Sequence, residues 1–229
     1  IPRDHDVDPS VGDWYTFVSP GIGSVRRRLR RVVMDVVRRY DVDGIHFDYI
    51  RYPGEIGDYS YDEPTRRAFR LAYGLEAENA PERWRTWQIA QINTFLADTY
   101  DHIKRRQGNV VVSAAVLSDP EKARREFCQD AHGWLDKGIL DLAVPMAYLP
   151  DPEAFRDRMA GFLKGVDTNR VCAGIGVYKL ADPQELVAQL VIARELGCSG
   201  VALFAYSSLF EDHTPNAFAE ATRLFFARP

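Results

Sequence analysis

Short apolar runs rich in Val, Ile and Ala recur along the chain at 42–47, 110–117, 139–148, 171–177 and 200–206. Hydrophobicity within each run is nearly continuous instead of alternating, the mark of strands covered on both faces, as in a parallel sheet between helices. The intervening segments carry helical period. Val25, Leu29, Val32, Val33, Val36, Val37 and Tyr40 form one stripe behind Ser24, a residue suited to capping a helix. Ile92, Phe95, Leu96, Thr99 and Ile103 mark a second helix, Phe127, Ala131, Trp134 and Leu135 a third, and Phe155, Met159, Phe162 and Leu163 a fourth. Leu186, Leu190, Val191 and Leu196 follow Asp182-Pro183, a helix start, and Gly197 stops that helix; Phe218, Ala221, Leu224 and Phe225 close the chain in another.

Strand and helix thus alternate, with crossovers long enough for right-handed βαβ units, which predicts an α/β protein. The stretch 54–81, rich in Asp, Glu and Tyr, interrupts one unit just after its strand. It reads as an inserted βα loop with a short helix near 65–73, the kind of segment that carries binding function. Five units fill almost all 229 residues, which we take as one domain. A complete eight-unit barrel takes ~250 residues, so a barrel parent implies three further units upstream. No Gly-rich phosphate turn of the dinucleotide type follows any strand, and Gly21 and Gly23, which precede a helix without following a strand, are a weak match to one.

Composition narrows the partners. The chain is 46% hydrophobic and 27% charged, as in ordinary globular proteins, which excludes disorder, collagen and a coiled coil. A net charge of −4 supplies no overall field for nucleic acid. The arginines at 26, 27, 30, 31, 38 and 39 lie largely off the apolar stripe of their helix and lack interleaved aromatics, so they read as its solvated face. No run approaches the ~18 to 20 apolar residues of a membrane span. Cys128, Cys172 and Cys198 read as buried thiols rather than a disulfide framework. His5 and His213 are isolated, so neither a metal site nor a cofactor is expected. The chain opens on Ile1 with no apolar signal-peptide core, and Ile1 is read as other than the natural start.

The richest segment for chemistry is Asp43-Gly44-Ile45-His46-Phe47-Asp48-Tyr49-Ile50-Arg51-Tyr52-Pro53. Period two along a strand puts Gly44, His46 and Asp48 on one face and Ile45 and Phe47 on the other. The apolar face meets the helices. Asp48 then stands at the carboxyl end of its strand, where parallel α/β enzymes place catalysis, and an ionised carboxylate buried there without a role is costly. The bland alternatives are a turn-capping Asp48 and a satisfied core His46. Arg51 is positioned to neutralise Asp48 or to bind a substrate hydroxyl or carboxylate, and either role keeps Asp48 ionised.

The run from Tyr40 to Pro53 resembles the fourth-strand signature of the glycosyl hydrolase-like family 10 proteins, bacterial (β/α)8 barrels. Pro20 to Arg26 resembles that family's entry to the preceding helix. Gln129-Asp130 with Trp134, Gly138, Asp141, Pro145, Met146 and Tyr148 resembles its approach to the sixth strand. The likeness extends from about Trp14 onward and loosens in the last 70 residues. Ser19 departs from the family's usual Asp or Asn, so no role carries over to it. The resemblance implies a (β/α)8 TIM barrel of which this chain supplies the C-terminal five units, strands 4 to 8, with the N-terminal strands and part of the site lying in the parent chain. It implies a glycoside hydrolase acting on an oligo- or polysaccharide, secreted or lipoprotein-anchored in the envelope, with Asp48 as nucleophile.

Glycoside cleavage uses two carboxyl groups, ~5 Å apart for retention and ~6.5 to 9.5 Å apart for inversion. Candidates for the second are Asp119, Asp130, Asp151, Glu55, Glu211 and Asp212, each with a bland reading as a helix start or solvated loop residue. Tyr49, Tyr52, Tyr148, Tyr178 and Tyr206 fall at strand ends, and Tyr59 and Tyr61 in the insertion, so several converge on one mouth. Such rings pack on the C–H face of a sugar. His46, Arg51, Tyr148, Tyr178 and Tyr206 are therefore placed in a substrate cleft around Asp48. The alternative is a carbohydrate- or envelope-binding barrel without turnover. An aldolase-type lyase is remoter, since no Lys lies on a strand for a Schiff base. A barrel lacking three strands also leaves an unpaired edge along 42–47.

Overall fold

The computed structural model describes residues 17–54 and 60–227. Its sheet has five strands, β1 (Gly44–Phe47), β2 (Val111–Leu117), β3 (Leu142–Met146), β4 (Cys172–Gly176) and β5 (Gly200–Phe204). They run parallel and in sequence order. Helices α1 (Gly23–Arg39), α2 (Glu63–Tyr73), α3 (Pro81–Arg106), α4 (Pro120–Phe127), α5 (Ala131–Asp136), α6 (Pro152–Phe162), α7 (Pro183–Glu195) and α8 (Ala217–Phe226) cover it. A two-residue hairpin, β6 (Phe210–Glu211) and β7 (Thr214–Pro215), lies between β5 and α8. The result is a partial (β/α) barrel. Among the described residues, no helix is long and apolar enough to cross a membrane.

Alternation along the strands sorts the side chains. Val112, Ala114 and Val116 of β2, Ala143 of β3 with Ala147 beyond it, and Ala173 and Ile175 of β4 are fully buried against the helices. Their neighbours Ser113, Leu117, Met146 and Tyr148 point to the concave side and remain partly exposed, while His46 and Asp48 on that side are exposed, so Asp48 is not the buried carboxylate that the sequence predicts. Packed against the outer face are Trp134, Phe155, Phe162, Leu96 and Ile103, all fully buried.

The turns explain where the helices begin. Asp119, Asp151 and Asp182 each stand before a proline and cap α4, α6 and α7, accepting from the backbone amides of Lys122, Ala154 and Gln184. Gly197, at φ 74°, ends the segment after α7. Four expectations change, the first being that the third predicted helix is two: Phe127 closes α4, Cys128 turns left-handed at φ 53°, and Ala131, Trp134 and Leu135 lie on α5. Ser24 is not the cap of α1: that position is Ile22, without a side-chain bond. The start of α1 is tied instead by Arg26, which donates to the Pro20 carbonyl and, at 2.8 Å, to Gln91 Oε1. The second predicted helix begins at Pro81, well before its apolar stripe, because Trp84 and Trp87 join Phe69 of α2 in a separate core under the insertion. The cysteines are free, but only Cys128 is buried; Cys172 and Cys198 are half-buried, and burial pushes both thiols up to about 11.

At the amino ends of β2 and β3, Asp141 joins three elements. Its Oδ2 accepts from Lys104 Nζ at 2.6 Å and from the Val112 amide at 2.7 Å, and its Oδ1 from the Tyr100 hydroxyl at 2.8 Å. Burial alone would raise this carboxyl's pKa, but the Lys104, Val112 and Tyr100 bonds outweigh it and hold the group below its usual 3.8. Asp141→Ala is expected to cost about 2–3 kcal/mol by leaving the Val112 amide and the Tyr100 hydroxyl without their acceptor and Lys104 without its counter-charge, measured by urea unfolding. Because the folded value is the lower one, this stability is full above the ordinary carboxylate range and disappears as pH falls through the folded value. Wild-type and Asp141→Asn melting temperatures should therefore converge in strong acid and separate near neutrality.

Among the described residues, β1 pairs only with β2, and part of the apolar stripe of α1 stays uncovered beside that free edge. Leu29 is 37% and Val32 52% exposed. With Val33, Phe47 and Phe95 they line a groove of about 430 Å³ that reaches Asp48. The isolated 229-residue chain is expected to self-associate through this edge and groove, and Val32→Glu to disperse it. Sedimentation velocity showing a stable wild-type monomer would contradict that.

Candidate functional site

The carboxyl end of β1 is shaped by its register. His46 lies opposite Ser113 of β2, and its Nδ1 is 2.9 Å from Ser113 Oγ, so the two side chains share the concave face. Asp48 follows two residues later on that face. Tyr49 then takes a left-handed conformation (φ 52°), its amide donating to Asp48 Oδ1 at 2.7 Å, and the chain turns sharply away. Gln129, fully buried, fixes this end from behind: its Oε1 accepts from the Leu117 amide, and its Nε2 donates to the carbonyls of Ile50 and Ala115. One side chain thus ties together the ends of β1 and β2.

Tyr148 arrives from the end of β3. Its ring stacks on Phe204 at the end of β5, with centroids 5.5 Å and planes 13° apart, and Tyr178 meets both rings edge-on. Gly176 makes this possible, because a Cβ there would lie 2.8 Å from Tyr148 Cβ and 2.9 Å from its Cγ. The electrostatics join the strands. Burial raises the Tyr148 hydroxyl above its ordinary value, helped by Asp48 and Tyr178. Burial lowers the His46 imidazole, with Asp48 opposing the shift. At neutral pH the site therefore presents a neutral imidazole and a protonated phenol beside the Asp48 carboxylate. It offers a hydrogen-bonding anion beside a three-ring apolar wall.

Other candidates fall elsewhere. Arg51 forms no ion pair with Asp48 among the described residues; its guanidinium lies 4.5 Å from the centre of the Tyr49 ring, and a buried Nη1 has no hydrogen-bond partner. Tyr52 is not at the mouth but buried in the core, where burial pushes its hydroxyl well above the usual range. Tyr61 packs on Trp84 in the second core. Tyr206 lies apart from the three rings, stacked on Phe210. Asp119 and Asp151 are occupied as caps, and Asp130 pairs with Arg124 at 2.7 Å. Glu211 and Asp212 are exposed on the β6–β7 hairpin and, among the described residues, hold neither a cap nor an ion pair. Glu55, Tyr59 and His5 lie outside the described residues. Sequence reading missed Phe204, whose place in the wall had only its strand-end position as a signal, and the bridging role of Gln129.

Nuclear magnetic resonance titration should find His46 ionising below 6.5, and Asp48→Asn should lower it further, since Asp48 is the group that raises it. An unchanged midpoint in that variant would separate the two residues.

Comparison with known proteins places this geometry. The glycosyl hydrolase-like 10 family model matches residues 8–179, and the chain belongs to that family. It is 28% identical over 185 residues to the glycosyl hydrolase DigH of Escherichia coli strain K12, covering 74% of this chain and 41% of that protein. It is 23% identical over 205 residues to the glycosyl hydrolase YngK of Bacillus subtilis strain 168, covering 79% and 40%. The chain thus spans about two fifths of the length of these relatives. Among solved structures, the catalytic domain of β-amylase from Paenibacillus polymyxa superposes with a TM-score of 0.62 at 12% identity, covering 93% of this chain and 71% of that one. A chitinase from Rhizomucor miehei gives 0.55 at 14%, covering 90% and 76%. The spore cortex-lytic enzyme SleL of Bacillus megaterium gives 0.57 at 13%, covering 89% and 54%.

Proposed function

We propose that this member of the glycosyl hydrolase-like 10 family contributes the Asp48 half of a glycoside hydrolase site, acting on an oligo- or polysaccharide. The observation that carries the reading is Asp48 at the carboxyl end of β1, electrostatically coupled to His46 and Tyr148 and next to the wall of Tyr148, Phe204 and Tyr178. An oxocarbenium-like transition state develops positive charge on the sugar ring, and a fixed carboxylate beneath it is the group that stabilises such charge. Asp48 acts as nucleophile or electrostatic partner. The neutral Tyr148 hydroxyl and His46 supply hydrogen bonds to the sugar without competing charge, and the rings take its C–H face.

The second carboxyl comes from Glu211, Asp212 or residues outside those described, since Asp119, Asp130 and Asp151 are engaged elsewhere. The upstream barrel units belong to the parent chain, and the protein works in the bacterial envelope, secreted or lipoprotein-anchored. The names of the neighbouring folds make chitin and starch-type oligosaccharides the first substrates to test. A binding barrel without turnover is the second reading, favoured by the absence of a carboxylate paired with Asp48 among the described residues.

Asp48→Asn keeps the side chain's size and deletes its charge. In the full-length protein it is expected to lower kcat by at least ~10²-fold, the scale for one preorganised electrostatic group, while sugar affinity changes little. Turnover near the wild-type level would remove Asp48 from catalysis. Binding by the wild type with no cleavage of any oligosaccharide would put the binding reading first.

A further inference from the structure

Beyond the three rings beside Asp48, the mouth carries a second aromatic pair. Tyr206 and Phe210 stack with centroids 4.5 Å apart and planes 13° apart. Phe210 covers one face of the Tyr206 ring, yet Tyr206 is 58% exposed, so the other face is open to solvent. Leaving that much aromatic surface in water forgoes the free energy of burying it. The ring is nonetheless held in place from several sides.

The β6–β7 hairpin pairs Phe210 with Pro215 and Glu211 with Thr214 across a two-residue turn, Asp212-His213. Both turn residues have left-handed φ, 45° and 63°, a conformation that favours glycine and here displays two polar side chains instead. The turn brings His213 Nδ1 to 3.5 Å from the Tyr206 hydroxyl. Asn216 ties the hairpin to α8: its Oδ1 accepts from the amides of Phe218 and Ala219, its Nδ2 donates to the Ser208 carbonyl and its own amide to the Leu209 carbonyl. A ring backed by another ring, open in front and edged by its own hydroxyl and the His213 imidazole, suits a pyranose. The sugar's C–H face meets the ring, and its hydroxyls meet the polar rim.

We propose that Tyr206 stacks a second sugar unit of the same oligosaccharide whose reacting unit lies against Tyr148 and Phe204 beside Asp48. Tyr206 thereby makes the protein select chains over single sugars. The proposal rests on the carbohydrate reading above and deepens it. Tyr206 follows Phe204 by two residues, which limits their Cα atoms to ~7 Å apart, so one chain can span both platforms. Phe210 and His213 position the ring and do not contact the reacting bond.

The test uses the full-length protein carrying Asp48→Asn, so that ligands are bound without being consumed, and calorimetry with chitin and malto-oligosaccharides of increasing length. Adding Tyr206→Ala is expected to weaken the longer oligomers about three- to tenfold, the range of one aromatic contact, and to move the monosaccharide by less than about twofold. Tyr206→Phe should retain the affinity for long chains, because the ring remains. Phe210→Ala should reproduce part of the Tyr206→Ala loss, again for long chains only. If Tyr206→Ala weakens every length equally or none, while the parent variant still binds oligosaccharides, the second platform is overturned and the carbohydrate reading stands. If neither the wild type nor the parent variant binds or cleaves any oligosaccharide, both are overturned.

Discussion

Period two along five parallel strands held in one register is the constraint on which the rest of this molecule depends. The outward positions of β2, β3 and β4 are Val, Ala and Ile, fully buried under the helices. Each fully buried Val or Ile contributes roughly 1.5–3 kcal/mol relative to leaving it in water. A slip of one residue would turn that face to the concave side and drive Ser113, Met146 and Tyr148 under the helices. The register therefore carries a penalty large enough to fix it, and the concave residues are fixed as a by-product. The position of Asp48 relative to Ser113 and Tyr148 is an output of hydrophobic burial on the opposite face.

The two ends of the strands divide the work. At the amino ends, Asp141 gathers Lys104, Tyr100 and the Val112 amide, and Arg170 donates to the carbonyls of Leu135, Leu140 and Asp141. These bonds close polar groups that strand starts would otherwise leave open, and none of them is near the mouth. At the carboxyl ends the polar groups are left facing outward. Gln129 and Gly176 are the devices that let this happen, the first by tying β1 to β2 from behind, the second by omitting a Cβ so that Tyr148 can sit over β4. Conservation of space at Gly176 and of hydrogen bonds at Gln129 serves the site without either residue joining its chemistry.

Much of this was legible in the chain because it follows from local rules. The continuous apolar runs are the strands, the Asp-Pro pairs are helix starts, and the facial split of 44–48 correctly puts His46 beside a concave-side partner. What escaped reading depends on contacts distant in sequence. Tyr52 has the same neighbours in sequence as a rim tyrosine, but a carbonyl from Phe127 accepts its backbone amide and the chain folds it inward. Arg51 sits three residues from Asp48, yet the left-handed turn at Tyr49 puts its guanidinium over a ring instead of beside the carboxylate. The early start of α3 rests on Trp84 and Trp87 meeting Phe69, a pairing that periodicity along one helix does not encode. Phe204 and the Tyr206–Phe210 stack depend on strand ends and a hairpin too short to show a pattern.

The exposure of Asp48 and His46 follows from the same geometry and bears on what the site requires. Electrostatic stabilisation of a cationic transition state is strong where water is excluded and its donors are already oriented, and weak where bulk solvent screens the charge. In the described residues the β2 to β5 side of Asp48 is walled by rings and strands, while the β1 edge opens into the groove lined by Leu29, Val32 and Phe47. The groove at that edge is apolar, so covering it would gain free energy by burying Leu29 and Val32 and would at the same time remove water from Asp48. Burial of that apolar edge and exclusion of water from Asp48 are therefore coupled by geometry, since Leu29, Val32 and Phe47 line the same groove as the carboxylate.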